Sequence, residues 1–206
     1  MKKNVHPDVL PYQYAFAMAE GFYKVGIAEA KSMPPTSTTP IEDLMSSVCP
    51  AAVNLAFSLE LYLKTIFMLT NNKAKTGHEL WEIFVALPAS MQQHLKDDYA
   101  RGYAREAQEL RGMYINTFIS NEEEPTPIVD FSSSKDLETL LKEHNMMFVE
   151  FRYMYEPIVG GYEYRVDFNP LNIGCKIMQH LIKQMIEASK NPGVTTQLLA
   201  LYQREE

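Results

Sequence analysis

The chain predicts an all-α protein, an antiparallel up-and-down helical bundle with a short β-hairpin near 158–168, and three observations carry that expectation. Apolar residues return at helical spacing in segment after segment of the 206 residues. Prolines and polar tracts fall between those segments. The run Ile158-Val159-Gly160-Gly161-Tyr162-Glu163-Tyr164-Arg165-Val166 places a Gly-Gly turn between β-branched and aromatic residues, the pattern of a tight hairpin.

The first helix is expected over about 12–31, where Tyr12, Phe16, Ala19 and Tyr23 share a face. A tract rich in Pro, Ser and Thr follows over 32–40. Asp43 suits an N-cap for the next stretch, but Pro50 disfavours the helical conformation at Cys49, so the main helix is expected to begin at Pro50 and run to about 70. Val53, Leu55, Ala56, Leu59, Leu63, Ile66 and Phe67 cover more than half of its circumference, which predicts a central helix enclosed by neighbours. Asn71-Asn72-Lys73 ends it.

A short helix over 79–87 follows, with Leu80, Ile83, Phe84 and Leu87 on one face and Pro88 as its stop. A longer one is expected over 90–118 from Met91, Leu95, Tyr99, Tyr103, Leu110, Tyr114 and Phe118. Asp97/Arg101 and Arg105/Glu109 would be i,i+4 pairs on its wet side. The segment 121–134, with Glu122-Glu123-Glu124, reads as a solvated loop. Leu137, Leu140, Leu141, Phe148 and Phe151 predict a helix over 135–155, halted by Pro157, and two more helices near 170–189 and 193–203 close the chain.

The length suits one domain over 1–206, with a core that needs no covalent staples. A net charge of −7 opposes long-range attraction to phosphate backbones, which argues against general DNA binding. Cys49 and Cys175 stand alone among small or apolar residues, as free thiols of a reducing cytosol do. The start, Met1 to Asp8, lacks the apolar stretch of a secretory signal, and the most apolar segment is interrupted by Glu60 and Lys64, so a cytoplasmic protein outside the membrane is expected.

Glu60 and Lys64, four apart on the central helix, form either an exposed pair or a partly buried cluster that requires further opposite charges. Arg152 and Glu156, also four apart, could supply them, and a structural polar cluster is preferred over a ligand site. His78, after Gly77, sits near a helix N-cap and could accept a backbone N–H or face a cleft. His94 and Asp98 read as a surface pair, while His6, His144 and His180 have no Cys or His neighbours, so no metal is expected. There is no Gly-rich phosphate loop, no Gly-x-Ser-x-Gly elbow and no His-Glu-x-x-His. Arg101, Arg105 and Arg111 lie beside tyrosines, but Asp97, Asp98, Glu106 and Glu109 interleave with them, as on a solvated face.

The central helix with Glu60 and Lys64, the Thr76-Gly77-His78-Glu79-Leu80 turn, the Leu80-Trp81-Glu82-Ile83-Phe84 helix and the late Phe151-Arg152-Tyr153-Met154-Tyr155-Glu156 together resemble the HEPN superfamily, over 49–156. The resemblance implies an antiparallel helical bundle, commonly homodimeric, of the kind found in toxin and antiphage systems, in RNA processing and beside nucleotidyltransferases. Ribonucleolytic members carry an Arg followed four to six residues later by a His. Here Tyr-Met-Tyr-Glu-Pro-Ile-Val follows Arg152, and no other arginine has a His at that spacing. The expectation is therefore a HEPN-like binding or assembly module without catalytic residues or cofactor, a homodimer that takes a nucleotide, an RNA or a partner protein in a defence or toxin–antitoxin setting. Glu60, Lys64, His78, Arg152, Tyr153 and Glu156 are its ligand-binding or structural polar cluster. The alternative is a divergent ribonuclease that handles RNA with Arg152, Tyr153 and Glu156.

Overall fold

Small and apolar helix formers dominate the first two long segments, and both are helical in the computed structural model: α1 (Pro11–Ser32) and α2 (Ile41–Asn71). The structure describes residues 11–33, 41–105, 113–117, 134–145, 162–166 and 168–190; for 41, 42, 44, 45 and the segments 113–117 and 162–166 it describes the backbone alone. Small residues let α1 and α2 approach closely. Ser58 Oγ donates to the Ala19 carbonyl at 2.9 Å, and a Cβ added at Gly26 would lie 2.8 Å from Leu55 Cγ. Phe22 meets Phe57 edge-on at 4.6 Å, and Phe16 meets Tyr62 at 6.0 Å. Phe16 pairs with Tyr62, Ala19 with Ser58 and Gly26 with Leu55, so the two helices run in opposite directions.

The main helix does not start at Pro50. It begins at Ile41 and carries Pro50 inside. A proline there removes one backbone hydrogen bond, yet Val48, Ala51 and Ala52 are buried on either side of it, and Asn54 Nδ2 donates to the Pro50 carbonyl at 2.7 Å. Packing outweighs the local preference. Downstream, Leu55, Leu59, Tyr62, Leu63 and Ile66 are fully enclosed, which makes α2 the central helix. Its stretch Ser46–Asn71 has the length and apolarity of a membrane span, but 61% of the most apolar window is buried inside the molecule, as a core helix also requires. Asn72, at φ 50°, turns the chain out of the helix.

Beyond α2 come α3 (Leu80–Val85), α4 (Ala89–Arg105), α5 (Leu137–Glu143) and α6 (Phe168–Lys190). Leu80, Ile83, Phe84, Met91, Leu95, Tyr99, Leu137, Leu140, Leu141, Phe168, Leu171 and Ile182 join α2 in one core, so the described residues are mostly helical. Asp136 caps α5, accepting from the Thr139 amide at 2.8 Å.

Two expected elements differ. The helix over 90–118 ends, as described, at Arg105, and Met113–Thr117 is a strand, β1, paired antiparallel with β2 (Tyr162–Val166) so that Met113 faces Val166 and Thr117 faces Tyr162. A strand, Tyr162–Val166, does form within the expected 158–168 and pairs with 113–117; the Gly160-Gly161 turn and the residues before it lie outside the described residues. The pairing is long-range, so no local hairpin signal could reveal it. The helix over 135–155 is broken as well: α5 stops at Glu143, and His144 has left helical geometry at φ −103°, ψ 17°. The rest of that expected helix and the one over 193–203 lie outside the described residues.

Candidate functional site

Four residues of spacing on α2 put Glu60 and Lys64 on one side of the helix, one turn apart. Both point inward. Glu60 is 1% exposed and Lys64 17%, and Lys64 Nζ donates to Glu60 Oε1 at 2.7 Å. A carboxylate removed from water needs compensating charge and hydrogen bonds, and one lysine leaves part of its accepting capacity unused.

The chain after α2 supplies the second partner. Gly77 takes φ 89°, in the left-handed region that side chains oppose, and this reversal returns His78 to the flank of α2. His78 Nδ1 lies 3.0 Å from Glu60 Oε1 and 3.3 Å from Oε2. Carboxylate oxygens accept, so the ring nitrogen that faces them carries the hydrogen. The imidazole is 55% exposed, so a buried anion is joined to a ring that reaches water.

His78 does not cap α3. The N-cap is Glu79, whose side chain makes no capping bond; the Leu80 amide donates to the Asn145 carbonyl at 3.3 Å and the Trp81 amide to Asn145 Oδ1 at 2.8 Å. Of the six residues singled out from the sequence, the structure brings Glu60, Lys64 and His78 together. Arg152, Tyr153 and Glu156 lie outside the described residues. The sequence grouped His78 with Glu60 and Lys64 but read it as lying near an N-cap, and the direct Glu60–His78 contact was not foreseen, although Gly77, free to adopt positive φ just before it, was the available signal.

No protein-family model, curated protein or solved structure matches the chain.

Chemically, the cluster can hold an imidazole in one tautomer beside a lysine. Among the described residues no three His, Cys, Asp or Glu side chains stand together as metal ligands. His94 Nε2 is 3.4 Å from Asp98, which also receives Arg101, so the expected Asp97/Arg101 pair is displaced by one residue while Gln93 donates to Asp97. His144 is buried, its Nδ1 2.8 Å from the Leu140 carbonyl. Cys49 and Cys175 are not joined in a disulfide, and burial pushes the Cys175 thiol up to about 12.

Two further polar groups tie helices together. Tyr62 Oη and Gln179 Nε2 both donate to Glu20 Oε1, at 2.5 and 2.6 Å, which joins α1, α2 and α6. Burial, and then the hydrogen bond to Glu20, push the Tyr62 phenol far above its ordinary range. Between α4 and α5, Glu138 accepts from Lys142 at 2.7 Å and Lys96 at 3.1 Å, and both ammonium groups lie over the Trp81 ring, at 4.5 and 6.0 Å. Those lysines, Lys142 first, hold the Glu138 carboxyl below the usual carboxylate range.

Proposed function

We propose that this chain is a single-domain, HEPN-like binding and assembly module, an antiparallel up-and-down bundle that works in the cytoplasm as a homodimer and does not cleave RNA. The observation that carries the reading is the engagement of Glu60: a buried carboxylate bound by Lys64 and His78 ties the turn after Gly77 to α2. The absence of a His four to six residues after any arginine supports it from the sequence side, because metal-independent cleavage of that type needs a group that exchanges a proton near neutral pH. A nucleotide, an RNA end or a partner protein would meet the molecule beside Lys64, His78 and Arg152.

One observation favours a second reading, a divergent ribonuclease using Arg152 and Glu156. An imidazole steadied through Nδ1 by a buried carboxylate is the arrangement that orients a general base. Incubation of the purified chain with labelled single-stranded RNA in a chelator separates the two. Intact RNA is the expected result. Cleavage that follows the protein through every column and disappears in both Arg152→Ala and His78→Ala would establish the enzyme instead.

A further inference from the structure

The face of α1 turned away from α2 has the composition of an interface. Among the described residues the exposed large apolar side chains are Tyr14, Met18, Val25 and Val85, and the three on α1 are 42% to 50% exposed. Tyr14, Met18, Gly21, Val25 and Ala28 are separated by four, three, four and three residues. That alternation is the seam of a two-stranded coiled coil, a narrow apolar stripe meant for another helix. Gly21 stands open, with nothing within 4 Å of a Cβ built on it, so a second backbone could approach there. The opposite face of α1 is fixed by Ala19, Gly26 and Tyr23 against α2 and α6, so the stripe is presented on a rigid support.

Charge beside the stripe identifies the occupant. Lys24 and Glu29 border it on opposite edges, and among the described residues neither has an ion-pair partner. Being five apart, they do not face each other on their own helix. In a parallel pair of such helices that spacing sets the edge position before one seam residue opposite the edge position of the neighbouring strand, so Lys24 of each copy meets Glu29 of the other. The complementarity is with itself.

We infer that α1 is a self-association surface, on which a second copy of this chain packs its own α1 in parallel through Tyr14, Met18, Val25 and Ala28, with two symmetric Lys24–Glu29 pairs between copies. The inference rests on the homodimer proposed above and names the face that forms it. The stripe over 14–32 is only about 28 Å long, which places the interface at the small end for stable pairs.

Sedimentation equilibrium on the full chain tests it. The wild type is expected to be a reversible dimer at about 100 µM, and Val25→Glu, at an exposed position, to be a monomer with unchanged helical circular dichroism. Lys24→Glu should weaken the dimer roughly tenfold, and Lys24→Glu with Glu29→Lys should restore it. A monomeric wild type overturns both the face and the dimer. A dimer indifferent to Val25→Glu overturns the face while leaving self-association standing, and a double charge swap that fails to restore affinity overturns the parallel pairing.

Discussion

Glu60 sets up an asymmetry among three side chains that one buried contact shares. Its carboxylate is enclosed, whereas Lys64 keeps some access to water and His78 keeps half of its ring there. Removing the anion therefore releases two groups that solvent can serve, but removing the lysine leaves a buried charge with, among the described residues, His78 as its remaining partner. Lys64→Met is expected to lose about 3 kcal/mol of stability and Glu60→Gln only about 1–2 kcal/mol. His78→Ala should fall below both. Chemical denaturation of the three variants, read as shifts in midpoint at constant slope, checks the order. A larger loss in Glu60→Gln than in Lys64→Met would show that the carboxylate acts through some contact other than these two. The pair itself was legible from four-residue spacing on an apolar helix. Its histidine partner was not, because that meeting depends on the backbone reversal at Gly77, which periodicity does not encode.

At the level of elements, α3, α4 and α5 are short or only half apolar, and beside their share of the core they are linked by one surface device: Glu138 between Lys96 and Lys142, with both ammonium groups over Trp81. The lysines hold the Glu138 carboxyl below its ordinary value, so its contribution is present above the unfolded carboxylate range and is lost as the pH falls through the lower folded value. Thermal unfolding of wild type and Glu138→Gln should thus differ slightly at neutral pH and converge in acid, below about pH 4. Salt should narrow the gap too, since all three groups reach solvent. A gap that persisted in acid would assign the effect to packing. Element boundaries were legible where local chemistry decides them: α1 and α6 fall within two residues of the ranges their apolar spacing predicts. They were not where packing or a distant partner decides, as at Pro50, carried inside α2 by its buried neighbours, and at Met113–Thr117, whose Met and Tyr fit a helical series but whose ladder partner lies at Tyr162–Val166.

Across the whole molecule, α2 organises the rest: α1 lies along it through Ala19 and Gly26, and α6 reaches it where Leu59 approaches Gly174 and Cys175 donates toward the Leu55 carbonyl. Helical bulk and a central α2 follow from the number of apolar positions on one segment, but the arrangement of α3 does not. Six residues are too few to nucleate a helix alone, and the amides of Leu80 and Trp81 are held by Asn145, the latter across 64 positions of sequence. Backbone exchange with deuterated water should report this: in Asn145→Ala the Trp81 amide should exchange faster while amides of α2 keep their protection. Unchanged exchange at Trp81 would mean that packing of Phe84 and Ile83 alone secures the turn. The order of events during synthesis follows from the same contact. The first two helices can pair once residue 71 has left the ribosome, whereas 80–85 must wait as an unfinished segment until Asn145 has been made. For that interval Leu80, Ile83 and Phe84 have α2 to lean on but lack α4 and α5, and the apolar surface left open is of the kind a chaperone would hold.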